Sequence, residues 1–297
     1  MDQKTGELFA DFLNHLRAKD ASALTICNYT ANNKAFFDFV KVPATEVKRT
    51  HANAYLAHLR RPGAGRNGQN LMSRTIKTRF SCVSSFFKYL DEECQLLRNP
   101  IRGMALPKGP GRPKVVMTKE EARAMLDLPC ETRQDRMDRL CLEIMYSTGA
   151  RRGDLVTAKL ADLNMAESSL FVIGKGKKPA NLILTDRCKA VLQAYLDSDR
   201  PKDAKSDKLL TTEKGKDYLV GRVYDGVLRS AKRAGITKKV HPHAWRRTIA
   251  THFMQANAPM KSIQVFLRHN NMATTDIYLS ADEHQVKTDH KKFHPLK

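Results

Sequence analysis

Four short segments of this 297-residue sequence gather side chains suited to holding a phosphodiester. They are Thr148-Gly-Ala-Arg-Arg-Gly-Asp154, the lysine run Gly174-Lys-Gly-Lys-Lys178, His241-Pro-His-Ala-Trp-Arg-Arg247, and Gln264-Val-Phe-Leu-Arg-His269 followed by Thr274-Thr-Asp-Ile-Tyr278. Arginine suits a pentavalent phosphate because its charge does not titrate and its planar fork meets two oxygens at once. Two fixed guanidiniums, two imidazoles, a lysine and a tyrosine, with no carboxylate pair to hold a metal, describe a site for phosphoryl transfer. His243 and Arg246 stand three residues apart, so a helix there points both from one face, with Trp245 and Ile249 anchoring the opposite one. Taken singly, an arginine after a turn is surface, hairpin lysines are solvated, and a tyrosine before a leucine belongs to a core. The combination carries the signal.

Charge points the same way. The chain holds 52 Lys+Arg against 31 Asp+Glu, a net charge of +21. Up to residue 110 there are 17 basic and 9 acidic residues, and beyond it 35 and 22, so each part has its own basic excess. A solubilising surface would give an excess of this kind, but a polyanion gripped from two sides explains why both parts carry it. The composition, 41% hydrophobic and 28% charged, is that of a folded protein and excludes wholesale disorder. No apolar run reaches the roughly 18 residues of a membrane span, and MDQKTGELFADFLNHL is neither a signal nor a transit peptide. These features predict a soluble, intracellular protein. Cys27, Cys82, Cys94, Cys130, Cys141 and Cys188 are scattered without a CxxC pair, so they read as reduced small residues. Neither a zinc finger nor a GxxxxGK[ST] phosphate loop is present.

The elements that must position these groups fall into two parts. Leu8, Phe9, Phe12, Leu13 and Leu16 recur at helical spacing, and Phe36, Phe37 and Phe39 close a second helix. Thr45 is placed to cap a third, with Ala52, Tyr55, Leu56 and Leu59 as its stripe. A fourth helix is predicted over 71–97, with Ile76, Phe80, Val83, Phe86, Phe87 and Leu90 as its apolar face. Arg74, Lys77 and Arg79 lie off that stripe, either against DNA or in solvent. MALPKGPGRPKVV, with three prolines and two glycines over 104–116, interrupts regular structure. The predicted division is a helical domain over 1–105, a linker over 106–116 and a second domain over 117–297. Thr118 and Glu121 form a capping box opening the next helix. In the second domain Ser169–Ile173 and Leu182–Thr185 read as strands flanking a lysine-tipped turn. Helices resume near Asp186 and Tyr218, and a last one is predicted after Thr274 or Thr275.

These segments resemble the tyrosine recombinases of the phage integrase family. Arg151 matches the family's first catalytic arginine, and Asp154 stands where the family has its supporting acid, usually a glutamate. Lys175 matches the hairpin lysine, His243-Ala-Trp-Arg246 the His-x-x-Arg box, His269 the last histidine and Tyr278 the nucleophile. All six catalytic positions occur in the family's order, and the resemblance covers essentially the whole chain. Three features depart from it: Arg247 replaces a histidine, Arg268 replaces the usual glycine before His269, and Lys177 and Lys178 accompany Lys175.

The resemblance implies a mostly α fold with a small β-hairpin or sheet (α+β), arranged as a two-domain DNA clamp. Its N-terminal part would be a helical, SAM-like core-binding domain, and its C-terminal part the tyrosine recombinase catalytic domain. It implies transesterification without metal or other cofactor, on double-stranded DNA bearing an inverted-repeat core site. The protomers would form a dimer on one site and a tetramer in the synapse, or pair with a related recombinase, with no membrane partner. Arg74, Lys77, Arg79, Lys177, Lys178, Arg247 and Arg268 are the candidate further DNA contacts. Location would be cytoplasmic, on bacterial-type nucleoid DNA. The tail from Leu279 to Lys297 resembles a segment that docks on a neighbouring subunit, with Phe293 and Leu296 as anchors. The chain begins almost directly with its first helices, which favours a compact Xer-type enzyme, or a plasmid or transposon resolvase, over an arm-binding integrase. Two alternatives stay open: a catalytically silent architectural or regulatory DNA binder, and a type IB topoisomerase.

Overall fold

In the computed structural model the chain forms two compact units, Met1–Arg112 and Pro113–Lys297. The structure describes residues 1–93, 95–96, 98–106, 115–174, 178–268 and 288–295.

The first unit contains, among its described residues, four α-helices: α1 (Gln3–Ala18), α2 (Ala23–Val40), α3 (Arg49–Arg60) and α4 (Ser73–Glu92). Asp2 and Ser22 cap the first two by accepting from Thr5 N (3.1 Å) and Thr25 N (3.2 Å). The core between them is aromatic. Phe9 meets Phe86 edge-on at 5.2 Å and Phe36 meets Tyr55 at 5.1 Å, geometry worth about 0.5–1.5 kcal/mol per pair beyond buried area. The apolar stripe expected on α4, Ile76 to Leu90, is buried throughout. Asn33, fully buried, donates from Nδ2 to Tyr29 O (3.0 Å) and Cys82 O (3.3 Å), tying α2 to α4.

Two expectations for this unit need correction. Thr45 does not cap α3: it lies inside a 3-10 turn, Ala44–Glu46, and α3 starts after Lys48, whose N–H donates to His51 Nδ1 at 3.1 Å. α4 stops at Glu92 rather than running to 97, because Asp91, Glu92 and Glu93 put three negative charges at the negative end of the helix dipole.

The second unit is built on α6 (Arg133–Thr148), which is buried on nearly all sides. Around it lie α5 (Lys119–Leu126), α7 (Arg152–Thr157), α8 (Asp186–Ala194), α9 (Val220–Arg233), α10 (Pro242–Gln255) and α11 (Met260–Leu267). A further short helix spans 288–293. The capping box at Thr118 is present, with Glu121 N donating to Thr118 Oγ1 (3.1 Å) and Thr118 N to Glu121 Oε2 (2.7 Å). Two carboxylates on α6 are buried but paired. Asp138 receives Arg229 through two hydrogen bonds (2.8 and 2.9 Å), and Glu143 receives Arg187 Nε at 2.6 Å.

The sheet is small and antiparallel, ordered β1 (Leu163–Asn164), β2 (Ser169–Ile173), β3 (Pro179–Ile183). Its register runs from Ile173↔Pro179 to Ser169↔Ile183. The second strand therefore begins three residues earlier than Leu182, at Pro179. Pro179 is accommodated because it opens an edge strand. The resulting fold is mostly helical with one small sheet, as expected. The helix predicted after Thr274 lies outside the described residues.

Candidate active site

The site is built on the C-terminal end of α6. Gly149 caps that helix in the left-handed region at φ +60. A Cβ added there would stand 2.8 Å from Phe266 Cε1 and 3.2 Å from Leu267 Cδ2. Only glycine serves both the turn and the close approach of α11. Thr148 folds its hydroxyl back onto Ile144 O (2.6 Å) and accepts from Ala150 N (3.1 Å), so the turn is tied on both sides.

Arg246 reaches this turn from α10. Nη1 donates to Gly149 O and Nη2 to Leu267 O, so one guanidinium bridges the ends of α6 and α11. The residue is 7% exposed. Burial first, and then the guanidiniums of Arg151 and Arg268, push it down to about 9, with Asp154 opposing. It stays a cation at neutral pH. The expected anchors hold it from behind: Trp245 and Ile249 are fully buried, and Trp245 Nε1 donates to Leu142 O at 3.1 Å.

Arg151 is the N-cap residue of α7, half-buried. Its N–H donates to Asp154 Oδ2 (3.0 Å), and its Nη2 lies 3.4 Å from Arg268 O. Asp154 is buried and also receives Arg268 Nη2, at 2.5 Å, on the same oxygen. This is the geometry of a group that orients neighbours. The foot of the β2–β3 hairpin closes this side, since a Cβ at Gly174 would lie 3.4 Å from Arg268 Nη1 and 3.8 Å from Asp154 Oδ1. The hairpin foot at Gly174 therefore lies beside Arg268 and Asp154.

His243 sits exposed in the first turn of α10, with His241 as N-cap accepting from Ala244 N at 3.2 Å. Partial desolvation, then His241 and the guanidiniums of Arg152, Arg246 and Arg151, hold the His243 imidazole below its usual value. It is neutral near pH 7 and able to accept a proton.

Arg151, Asp154, His243 and Arg246 thus converge. Lys175, Lys177, His269 and Tyr278 lie outside the described residues. Of the candidate further DNA contacts, Arg74, Lys77 and Lys178 are exposed and Arg79 is half-buried. Arg247 turns its Nη1 to Val115 O at 3.3 Å. Arg268, expected among the DNA contacts, is turned inward onto Asp154.

Sequence reasoning missed the histidines behind the site. His252 Nε2 donates to Met117 O (2.9 Å) and its Nδ1 accepts from Tyr146 OH (2.7 Å). His290 and His294 donate from Nε2 to Ser147 O (2.6 Å) and Tyr146 O (3.1 Å), carbonyls of the last turn of α6. The segment around Phe293 packs on its own chain in this way, whereas Leu296 lies outside the described residues. The i, i+4 spacing of His290 and His294 was the available signal.

Comparison with known proteins identifies the family. Residues 115–285 match the phage integrase family, and residues 8–95 match the N-terminal SAM-like domain of phage integrases. The chain belongs to the phage integrase family, as a tyrosine recombinase of the Xer type. The tyrosine recombinase XerD of Listeria monocytogenes serotype 4b (strain F2365) is 28% identical over 301 residues, spanning 97% of this chain and 99% of that protein. The tyrosine recombinase XerC of Escherichia coli O127:H6 (strain E2348/69 / EPEC) is 25% identical over 297 residues, spanning 97% of each. Among solved structures, the XerH site-specific recombinase bound to palindromic difH substrate, a post-cleavage complex, superposes with a TM-score of 0.68. It is 21% identical and the match covers 91% of this chain and 80% of that one.

Proposed function

We propose that Tyr278 is the nucleophile with which this chain cuts and rejoins duplex DNA, and that Arg151, Lys175, His243, Arg246 and His269 complete its catalytic set. The chain is a site-specific DNA recombinase that works through a tyrosine intermediate. The Tyr278 oxygen attacks the scissile phosphorus in line, forming a 3′-phosphotyrosyl ester as the bond to the 5′-oxygen breaks. His243 takes the phenolic proton, and Lys175 gives a proton to the leaving 5′-oxygen. Arg151, Arg246 and His269 hold the non-bridging oxygens, and Asp154 orients the arginines. The ester conserves the energy of the broken bond, so attack by a 5′-hydroxyl reseals the strand without ATP.

The observation that carries this reading is Arg246, buried, held on two main-chain carbonyls, and gathered with Arg151 and a neutral His243. Such an arrangement is ready for a phosphate before it arrives. The helical domain over 1–105 also contacts DNA, and 106–116 joins it to the catalytic domain over 117–297. The partners are duplex DNA with an inverted-repeat core site and further copies of the chain, two on one site and four in a synapse. The setting is the cytoplasm, on the nucleoid.

The test mixes wild-type or Tyr278→Phe protein with a pool of randomised duplexes in EDTA, denatures the mixture, and sequences the protein-linked strands. Adducts from the wild type alone, clustered on one inverted repeat, are the expected result. Adducts from Tyr278→Phe at the wild-type rate would overturn the nucleophile assignment. Binding without adducts would mark a silent DNA binder, and relaxation without strand exchange a topoisomerase.

A further inference from the structure

Arg268 ends α11 in the left-handed region, at φ +51 and ψ 53, although it carries a full side chain. A non-glycine residue there is strained unless its surroundings hold it. Here the hold is visible. Nη2 donates to Asp154 Oδ2 at 2.5 Å, Nη1 packs at the hairpin foot beside Gly174, and the side chain is only 17% exposed. The Arg268 carbonyl faces Arg151 Nη2 at 3.4 Å, and Nε is buried without a hydrogen-bond partner. One residue therefore touches the start of α7, the foot of the lysine hairpin, and the point where the chain leads on to His269 and Tyr278. Position 268, one end of this ion pair, is also a place where the sequence parts from the common motif.

The charges give the contact a purpose. Asp154 is a buried carboxylate with the guanidiniums of Arg151, Arg246 and Arg268 around it. Its charge will be neutralised by whichever fork reaches it. Were that Arg151, whose N–H is already on Asp154, the Arg151 fork would be drawn away from substrate. We propose that Arg268 is a positioning residue. It occupies the Asp154 carboxylate so that the Arg151 fork stays open to the scissile phosphate. The inference rests on the recombinase reading above.

The test compares full-length wild type, Arg268→Gly, Arg268→Lys, Asp154→Asn and the Arg268→Gly/Asp154→Asn double variant on duplexes captured by the wild type. Three quantities are read: the single-turnover rate of adduct formation, half-saturation by DNA, and the denaturant midpoint of Trp245 fluorescence. Glycine suits the backbone at 268, so Arg268→Gly should keep its midpoint and bind DNA within about threefold, yet form adduct some 10- to 100-fold more slowly. Arg268→Lys should recover part of that loss. Asp154→Asn leaves no carboxylate to draw the Arg151 fork, so it should lose less than Arg268→Gly, and the double variant should recover part of the Arg268→Gly loss. An Arg268→Gly rate equal to wild type would overturn the proposal, as would losses that multiply in the double variant. A lowered midpoint with a normal adduct rate would make Arg268 merely structural and also overturn it. If the wild type itself formed no adduct, the recombinase reading would fail first and this inference would fall with it.

Discussion

Gly149→Ala adds one methyl group, and the structure says what it meets. At φ +60 an alanine costs about 1–2 kcal/mol relative to glycine. The new carbon would also press on Phe266 Cε1 at 2.8 Å and Leu267 Cδ2 at 3.2 Å, an overpacking of about 1–3 kcal/mol in a buried setting. The expected destabilisation is therefore about 2–5 kcal/mol. It can be read cleanly because the chain has a single tryptophan, Trp245, fully buried in the Pro113–Lys297 unit, so its fluorescence during urea unfolding follows that unit. The functional consequence is separate. Gly149 O and Leu267 O are the two acceptors that seat Arg246, and the added methyl pushes on both sides of that seat. Adduct formation under conditions where the variant is folded should fall by roughly 10²–10³, as for loss of one preorganised charge donor. Gly153→Ala is the control, since nothing lies within 4 Å of its added carbon. It should be neutral or stabilising by up to about 1 kcal/mol. A Gly149→Ala protein within about 0.5 kcal/mol of wild type would refute the steric argument, and one that is destabilised yet cleaves normally would refute the seating of Arg246.

Further outcomes follow from the same contacts. Burial pushes His290 down to about 4 from 6.5, so the unfolded chain takes up its proton first; stability is complete above about pH 6.5 and declines as pH falls towards 4, by up to about 3 kcal/mol. Unfolding followed by Trp245 across that window should show the decline, and His290→Gln should flatten it. Because the His243 value is depressed, the acid limb of the single-turnover rate should lie below pH 6.5, and a limb at or above that pH would contradict a neutral His243 as proton acceptor. Arg187→Met strands Glu143, which is 1% exposed, and should cost about 2–4 kcal/mol, the lower end reflecting the partial hydration of Arg187; pairing it with Glu143→Gln should restore much of the loss in urea titrations.

What was legible in the sequence was whatever repeats with the period of an element or stands at fixed spacing within one. The α4 stripe, the Thr118 capping box and the His243–Arg246 face with Trp245 behind it are all local patterns, and the structure has each of them. The second strand was misplaced because Leu182-Ile-Leu is its apolar run, whereas pairing is set by register across the hairpin and brings Pro179 opposite Ile173. β1, two residues long, is too short to have a period. Asp138 and Glu143 disguised the depth of α6, since carboxylates read as surface until the arginines of α9 and α8 are seen upon them. The Arg268–Asp154 pair was illegible for a related reason. An arginine after a helix looks solvated, and neither its left-handed backbone nor Asp154, 114 positions away, can be read from neighbours in the chain.

The end of α6 explains why the site can afford so many cations out of water. Carbonyls near its end are taken by groups from elsewhere, Leu142 O by Trp245, Tyr146 O by His294, Ser147 O by His290 and the following Gly149 O by Arg246, while Ile144 O is taken by Thr148 of its own last turn. A helix C-terminus carries about half a negative charge, and Arg246 is placed where that partial charge is concentrated. This offsets part of its desolvation, while the neighbouring Arg151 and Arg268 keep its proton less tightly held than usual. The site at rest is therefore under electrostatic tension, with three guanidiniums and one buried carboxylate. In the proposed reaction, an incoming phosphate diester with one negative charge would convert that mutual repulsion into attraction. The phosphorane of that proposed step, with more charge on its equatorial oxygens, would gain more from the same fixed donors than the ground state does. Because the donors are anchored to the best-packed helix of the unit, little of that gain is lost to reorganisation, and the difference appears as rate.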